Sequence, residues 1–174
     1  MYFLTVIGIM TVTSCKSDTT VNLTLKKIFE SLPAVTNVNQ TNMKVKIVAP
    51  GNGPEYYVLT YNNMELMQSS KIFFQVINND LAFGEGLYGT LYLANKDKTF
   101  IVDSNDLLFT GKIITTELRG YELRIDKDKK YSYIKGNIWN TDGSSILKTV
   151  YFKYSLLNNE LTNENGQNVK MTTY

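Results

Sequence analysis

The sequence predicts a mainly β protein: an antiparallel meander closing into a barrel or a two-sheet sandwich, the barrel favoured, with one N-terminal α-helix. Three observations predict it. Turn signals of Gly, Asn, Asp and Pro recur about every ten residues after Pro50, and the segments between them largely alternate apolar and polar side chains. Those segments are rich in Tyr, Phe, Ile, Val and Thr, which fit a pleated surface, with twelve Tyr against one Trp. Helical spacing occurs in one place only. Local hairpin connections imply antiparallel pairing and exclude βαβ units, and roughly ten strands must close or split to manage their edges.

The elements can be justified in order. Between Thr19 and Leu32, the residues Leu25, Ile28, Phe29 and Leu32 fall at i, i+3, i+4 and i+7, with Asn22 as N-cap and Pro33 as stop. That face packs on the domain or plugs one end of it. Ala34–Asn42 reads as a loop. Met43–Ala49 alternates Met43, Val45 and Ile47 with Lys44 and Lys46, and Pro50-Gly-Asn-Gly-Pro54 turns the chain. Tyr56–Tyr61 and Met64–Gln68 pair across Asn62-Asn63, and Lys71–Ile77 follows.

Phe83-Gly-Glu-Gly-Leu-Tyr-Gly89 is the most glycine-dense stretch. It lacks the helix and the Gly-Lys-Ser/Thr of a phosphate loop, so it is expected to be a bulge or irregular loop. Strands are then expected at Thr90–Ala94, Thr99–Asp103, Leu107–Thr116, Gly120–Ile125, Tyr131–Trp139 and Ser145–Tyr154, with Asp142-Gly143 as a hairpin signal between the last two. A closing pair, Glu160–Asn163 and Gln167–Thr172, flanks Asn165-Gly166. Gly89–Phe100 and Gly120–Tyr131 share a pattern of Gly and Asn/Asp-Lys-Asp-Lys. Their apolar positions run one residue out of phase, so they read as two similar hairpins and not as a repeat.

The first fifteen residues carry no charge and end at the chain's only Cys, after an apolar run from Tyr2 to Val12. The run is too short to span a bilayer comfortably and has the length of a secretory h-region. Val12-Thr13-Ser14-Cys15 resembles the lipobox of bacterial lipoproteins. That resemblance implies cleavage before Cys15, a diacylglycerol on its sulfur and an acylated amino terminus, and several acyl chains anchor durably. Lys16-Ser17-Asp18 is similar to the tethers of Bacteroidota surface lipoproteins, which implies attachment to the outer membrane, periplasmic or surface-exposed. The organisation expected is a signal at 1–14, the lipidated Cys and a short tether at 15–20, and a single domain at 21–174.

Composition limits the chemistry. There is no His, which removes the usual general base and the commonest metal ligand. With Cys15 assigned to lipid, thiol and zinc chemistry go too. Asp126-Lys-Asp128 and Asp103-Ser-Asn105-Asp106 lack the glycine and distal glutamate of a calcium loop. Other carboxylates fall mostly in turns, so a hydrolase working through paired carboxylates is the least expected reading. The net charge is +2, and neither half forms a basic field for nucleic acid. No cofactor and no metal are expected.

The candidate site is aromatic. On Tyr131–Trp139, Tyr131, Tyr133 and Trp139 share one parity while Ile134 and Ile138 share the other, and Tyr151 on the next strand joins the aromatics. With the aliphatic parity inward, the aromatic one faces solvent as a binding patch, or lines a cavity if the barrel is open. The alternative is burial of both parities, one of them under a neighbouring sheet or the Leu25–Leu32 helix. The C-terminal run Tyr154-Ser-Leu-Leu-Asn-Asn-Glu-Leu161, Asn165-Gly166 and Met171-Thr-Thr-Tyr174 is similar to the closing hairpin of lipocalin-like bacterial lipoproteins. It implies a barrel. Together these readings lead to a non-enzymatic, lipid-anchored envelope protein binding a small apolar ligand or a glycan. The alternative is a structural or interaction lipoprotein serving an envelope complex.

Overall fold

The computed structural model describes residues 17–35, 42–96, 98–108, 118–140 and 142–174. Cys15, the signal before it and most of the strand expected at Leu107–Thr116 lie outside the described residues. Helix α1 runs Ser17–Ser31, opening ahead of the expected Thr19 and within the stretch expected to be tether. The first seven strands are β1 Met43–Val48, β2 Tyr56–Tyr61, β3 Met64–Ser69, β4 Phe73–Asn78, β5 Leu81–Glu85, β6 Leu91–Asn95 and β7 Lys98–Val102. A short helix α2, Ser104–Leu108, follows; then come β8 Leu118–Ile125, β9 Tyr131–Trp139, β10 Ile146–Ser155, β11 Glu160–Thr162 and β12 Thr172–Thr173.

Three expectations are corrected. Leu107 and Leu108 close helix α2 instead of opening a strand, because Leu107 bonds back to the Asp103 carbonyl (3.0 Å) and drops into the core. Phe83–Glu85 is not loop but the end of a regular strand, β5, and only Gly86–Gly89 is irregular. The last hairpin pairs only near its turn, through the Thr162–Asn168 bridge and the Val169 amide on the Leu161 carbonyl (2.8 Å); Thr172 and Thr173 then pair with Ile101 and Phe100 of β7, not with β11.

The strands form three antiparallel sheets, ordered β1-β2-β3, β12-β7-β6-β5-β4 and β11-β10-β9-β8. No closed barrel is seen among the described residues. The five-stranded sheet is the middle layer, because its two faces feed different cores. Leu81, Phe83, Leu91, Leu93, Phe100 and Val102 face Leu118, Leu123, Ile134, Phe152 and Leu161 of the four-stranded sheet. On the opposite face Phe74, Val76, Ala82 and Ala94 meet Met43, Leu59 and Met67 of the three-stranded sheet. Burial on both faces explains why Leu81-Ala82-Phe83 shows no apolar–polar alternation.

The layers are aligned end to end. At one end the Tyr57 ring meets Phe73 edge-on (centroids 5.5 Å), and Glu85 Oε2 accepts the amides of Gly120 (2.9 Å) and Tyr121 (3.3 Å) at a bulge in β8. The Tyr121 hydroxyl donates to the Gly89 carbonyl there at 2.6 Å. Burial first, then the nearby Glu85 and Asp103, holds that phenol protonated well above its ordinary range. At the other end Tyr61 donates to Asp80 Oδ1 (3.2 Å), and Asn95 Nδ2 donates to the Leu156 carbonyl (2.8 Å) and to Asn159 Oδ1 (2.7 Å).

Helix α1 forms a fourth layer on the outer face of the four-stranded sheet. Leu25 and Phe29 pack on Tyr133 and Tyr151, with Phe29 edge-on to Tyr151 at 5.6 Å. Arg124 fastens its end: Nη1 donates to the carbonyls of Phe29 (3.1 Å) and Leu32 (2.7 Å), and the guanidinium lies 4.4 Å above the Phe29 ring. A cation bonded to the last carbonyls of a helix also suits its dipole. Glu122 bridges Arg124 and Lys135. Burial pushes the Glu122 carboxyl up, but the hydrogen bonds and charges of Lys135 and Arg124 outweigh it and hold the group below its ordinary range.

Candidate functional site

The structure keeps three of the four aromatic residues expected to form a patch in one cluster, with Tyr131 packed against Tyr133 and Tyr151 beside α1, and sets Trp139 apart. Tyr133 and Tyr151 are 8% and 7% exposed because α1 covers them, so the helix-covered arrangement and not the open patch holds for these two. Tyr131 is half-buried at the Asp126–Lys130 end of β9, with the Lys153 ammonium 3.9 Å over its ring. Trp139 is half-buried at the opposite end of the same strand. The Arg119 guanidinium lies 4.9 Å over its ring, and its buried indole N–H finds no acceptor among the described residues. Cys15, the expected lipidation site, lies outside the described residues.

Another surface takes the place of that patch. Nine large apolar side chains are exposed among the described residues, and six of them sit at one end of the layer stack. Strand register shows which end. Ile47 stands opposite Tyr57, whose ring meets Phe73; Phe73 stands opposite Glu85, at the base of the Gly86–Gly89 tip that carries Leu87 and Tyr88. The tip backs onto Leu118, which is paired with Ile138, and the neighbouring Trp139 faces Ile146, next to Leu147. Three turns at this end, Pro50–Pro54, Ser69–Lys71 and Gly86–Gly89, carry Lys71 as their one charged side chain, while the β9–β10 turn brings Asp142 and the end of β7 brings Asp103. The opposite turns carry Asp80, Lys96 and Asp126–Lys130.

Two features shape this end. The first is an open cleft of about 510 Å³ lined by Pro50, Pro54, Tyr56, Gln68, Ser69, Ser70 and Lys71. The β2–β3 hairpin builds it: the Asn62 and Asn63 turn, both residues at positive φ, sets the register near the turn, and a bulge beyond Thr60 shifts it by one residue to put Ser69 opposite Tyr57. Ser69 Oγ accepts the Lys71 amide (3.1 Å), bending the chain along the cleft wall. The second is the tip of the β5–β6 hairpin. Tyr88 is 78% exposed yet holds a left-handed backbone (φ 57, ψ 26). A bulky residue there costs about 1–2 kcal/mol. The tip tolerates it because Gly86 N donates to the Thr90 carbonyl (2.8 Å) and Gly89 is locked onto Leu118 and Tyr121.

No family model, curated protein or solved structure matches this chain.

The site that results is an apolar rim beside an open, mixed cleft. Its aromatic rings offer flat apolar faces, and Gln68, Ser69, Ser70 and Lys71 offer donors and acceptors in the combination that orients a bound molecule. Of the two calcium-loop look-alikes, the one at Asp126 serves the backbone. Asp126 Oδ1 accepts the amides of Lys130 (2.8 Å) and Tyr131 (3.2 Å), closing the turn between β8 and β9. Reading the sequence missed Tyr56 and Phe73 as site residues, although Pro50-Gly-Asn-Gly-Pro54 beside Tyr56-Tyr57 was a usable signal.

Proposed function

We propose that this chain is a non-enzymatic, lipid-anchored binding protein of the bacterial cell envelope, and that it holds a glycan in the cleft beside Tyr56. The observation that carries the reading is the cleft itself, lined by a tyrosine and two prolines together with an amide, two hydroxyls and an ammonium. The apolar CH face of a sugar stacks on such rings while its hydroxyls bond the polar wall. An open cleft suits a chain that runs on past the site, which favours a glycan over a small apolar ligand. Titration of a panel of envelope and host oligosaccharides is expected to find a binder for the wild-type protein. Tyr56→Ala is expected to weaken that binder at least about tenfold, the worth of a well-packed aromatic contact. Equal binding by a normally folded Tyr56→Ala protein would sink the cleft assignment.

Attachment rests on Cys15. Metabolic labelling with a palmitate analogue is expected to mark the wild-type protein and to leave Cys15→Ser unmarked; a labelled Cys15→Ser protein would overturn it. A second reading, an interaction lipoprotein serving an envelope complex, draws on the apolar rim continuing past the cleft onto Leu87, Tyr88, Ile146 and Leu147.

A further inference from the structure

A second, smaller hollow lies at the opposite end of the stack, on the outer face of the four-stranded sheet beside the part that α1 covers. Its volume is about 170 Å³, and Tyr131, Lys153, Ser155, Asn158, Glu160 and Thr162 line it. Register places these residues on one face: Tyr131 stands opposite Ser155, Ser155 opposite Glu160, and Lys153 opposite Thr162. Lys153 and Glu160 are therefore diagonal neighbours of opposite charge on adjacent strands, a spacing from which long side chains ordinarily reach each other.

They do not pair. The Lys153 ammonium is drawn instead onto the Tyr131 ring, 3.9 Å from its centroid, and the Glu160 carboxylate accepts a hydrogen bond from the Asn158 amide. Neither makes an ion pair among the described residues. Each charge is held back by a neutral partner, and the hollow lies between them. Thr162 Oγ1 is turned to the Lys153 carbonyl (3.3 Å), which leaves the Ser155 hydroxyl to complete the polar lining.

We propose that this hollow binds a small zwitterion of the amino acid class, its carboxylate on Lys153 and its ammonium on Glu160. A ligand with both charges satisfies both walls at once, whereas a lone anion or cation leaves one wall facing a like charge or nothing. The volume admits a molecule of amino acid size and no oligomer. This site is separate from the cleft at Tyr56 and does not depend on the glycan reading.

The experiment is a backbone amide NMR titration of the folded protein with glycine, β-alanine and γ-aminobutyrate, with acetate and methylammonium as single-charge controls. At least one zwitterion is expected to shift the amides of Tyr131, Ser155 and Glu160 saturably, with a Kd on the order of 1 mM, as befits so few ligand atoms. Acetate and methylammonium are expected to bind at least about tenfold more weakly. Lys153→Gln and Glu160→Gln should each weaken the zwitterion by a similar factor, and the double exchange Lys153→Glu with Glu160→Lys should restore binding in the reversed orientation. The proposal fails if no zwitterion saturates below about 50 mM, or if acetate binds as well as the best zwitterion. It fails too if the two Gln variants, shown folded by their spectra, bind unchanged.

Discussion

Gly89→Ala is expected to remove a large part of the protein's stability. Gly89 has φ +75, and a Cβ built on it would lie 1.8 Å from the Leu118 carbonyl oxygen and 2.9 Å from its carbon. Both are backbone atoms of β8, so no side chain can rotate away. Relief requires moving the tip off the four-stranded sheet, which also breaks the Tyr121 bond to Gly89 and the contacts of Glu85 with the bulge. The left-handed conformation alone costs an alanine about 1–2 kcal/mol. With the collision added, the loss should exceed about 4 kcal/mol, from a total of roughly 5–15 kcal/mol for a domain.

Gly166→Ala is the control. Its φ is +74, almost the same, yet nothing lies within 4 Å of the added carbon. It should show the conformational cost alone. By thermal unfolding, Gly166→Ala should lower Tm by a few degrees and Gly89→Ala by more than about 10 °C, or prevent folding. Equal shifts would mean that the tip does not press on Leu118.

Phe29→Ala is expected to release α1. Phe29 is 2% exposed and is the helix residue on which three contacts converge: Tyr151 edge-on, and the cations of Arg124 and Lys135 at 4.4 and 5.5 Å from its ring. Truncating a buried Phe costs about 3–5 kcal/mol. Helix α1 touches the domain through one apolar stripe and the Arg124 clamp, so the loss should be felt as local undocking more than as global unfolding. Hydrogen exchange should show protection lost in α1 while β5, β6 and β9 keep theirs. Tyr133 and Tyr151 should become reactive to tyrosine nitration. If protection falls equally in the sheets, α1 is instead an integral part of their core.

Much of the strand layout was legible. Tyr131–Trp139 and Tyr56–Tyr61 have the boundaries assigned from the turns that flank them, because turn residues and β-forming composition are local signals. The helical face of Leu25, Ile28, Phe29 and Leu32 was legible for the same reason: a 3.6-residue period survives without knowledge of what it packs on. Turns at Asn62-Asn63 and at Gly166 were readable because positive φ restricts the residue type. β5 was not, since a strand buried on both faces has no alternation and two glycines obscured its end. The short α2 was hidden inside an apolar run that periodicity alone assigns to a strand.

The candidate site was the least legible feature. Tyr131, Tyr133, Trp139 and Tyr151 share a face, as parity requires, but parity does not say what lies over that face. Its middle is covered by a helix more than ninety residues away in sequence, whose end is held by Arg124 at a separation of 95 residues from Phe29. Ile47, Phe73, Leu87, Tyr88, Ile146 and Leu147 look like scattered surface residues along the chain.

By itself the sequence determined the antiparallel β character, the hairpins and the amphipathic helix, because these depend on periods of two and 3.6 residues and on turn chemistry, all local properties. Only the tertiary structure decided that there are three sheets, that the five-stranded one lies between the others, and which end of the stack gathers most of the exposed large apolar side chains. Those outcomes depend on which faces meet, and a strand's alternation marks a face for burial without naming its partner.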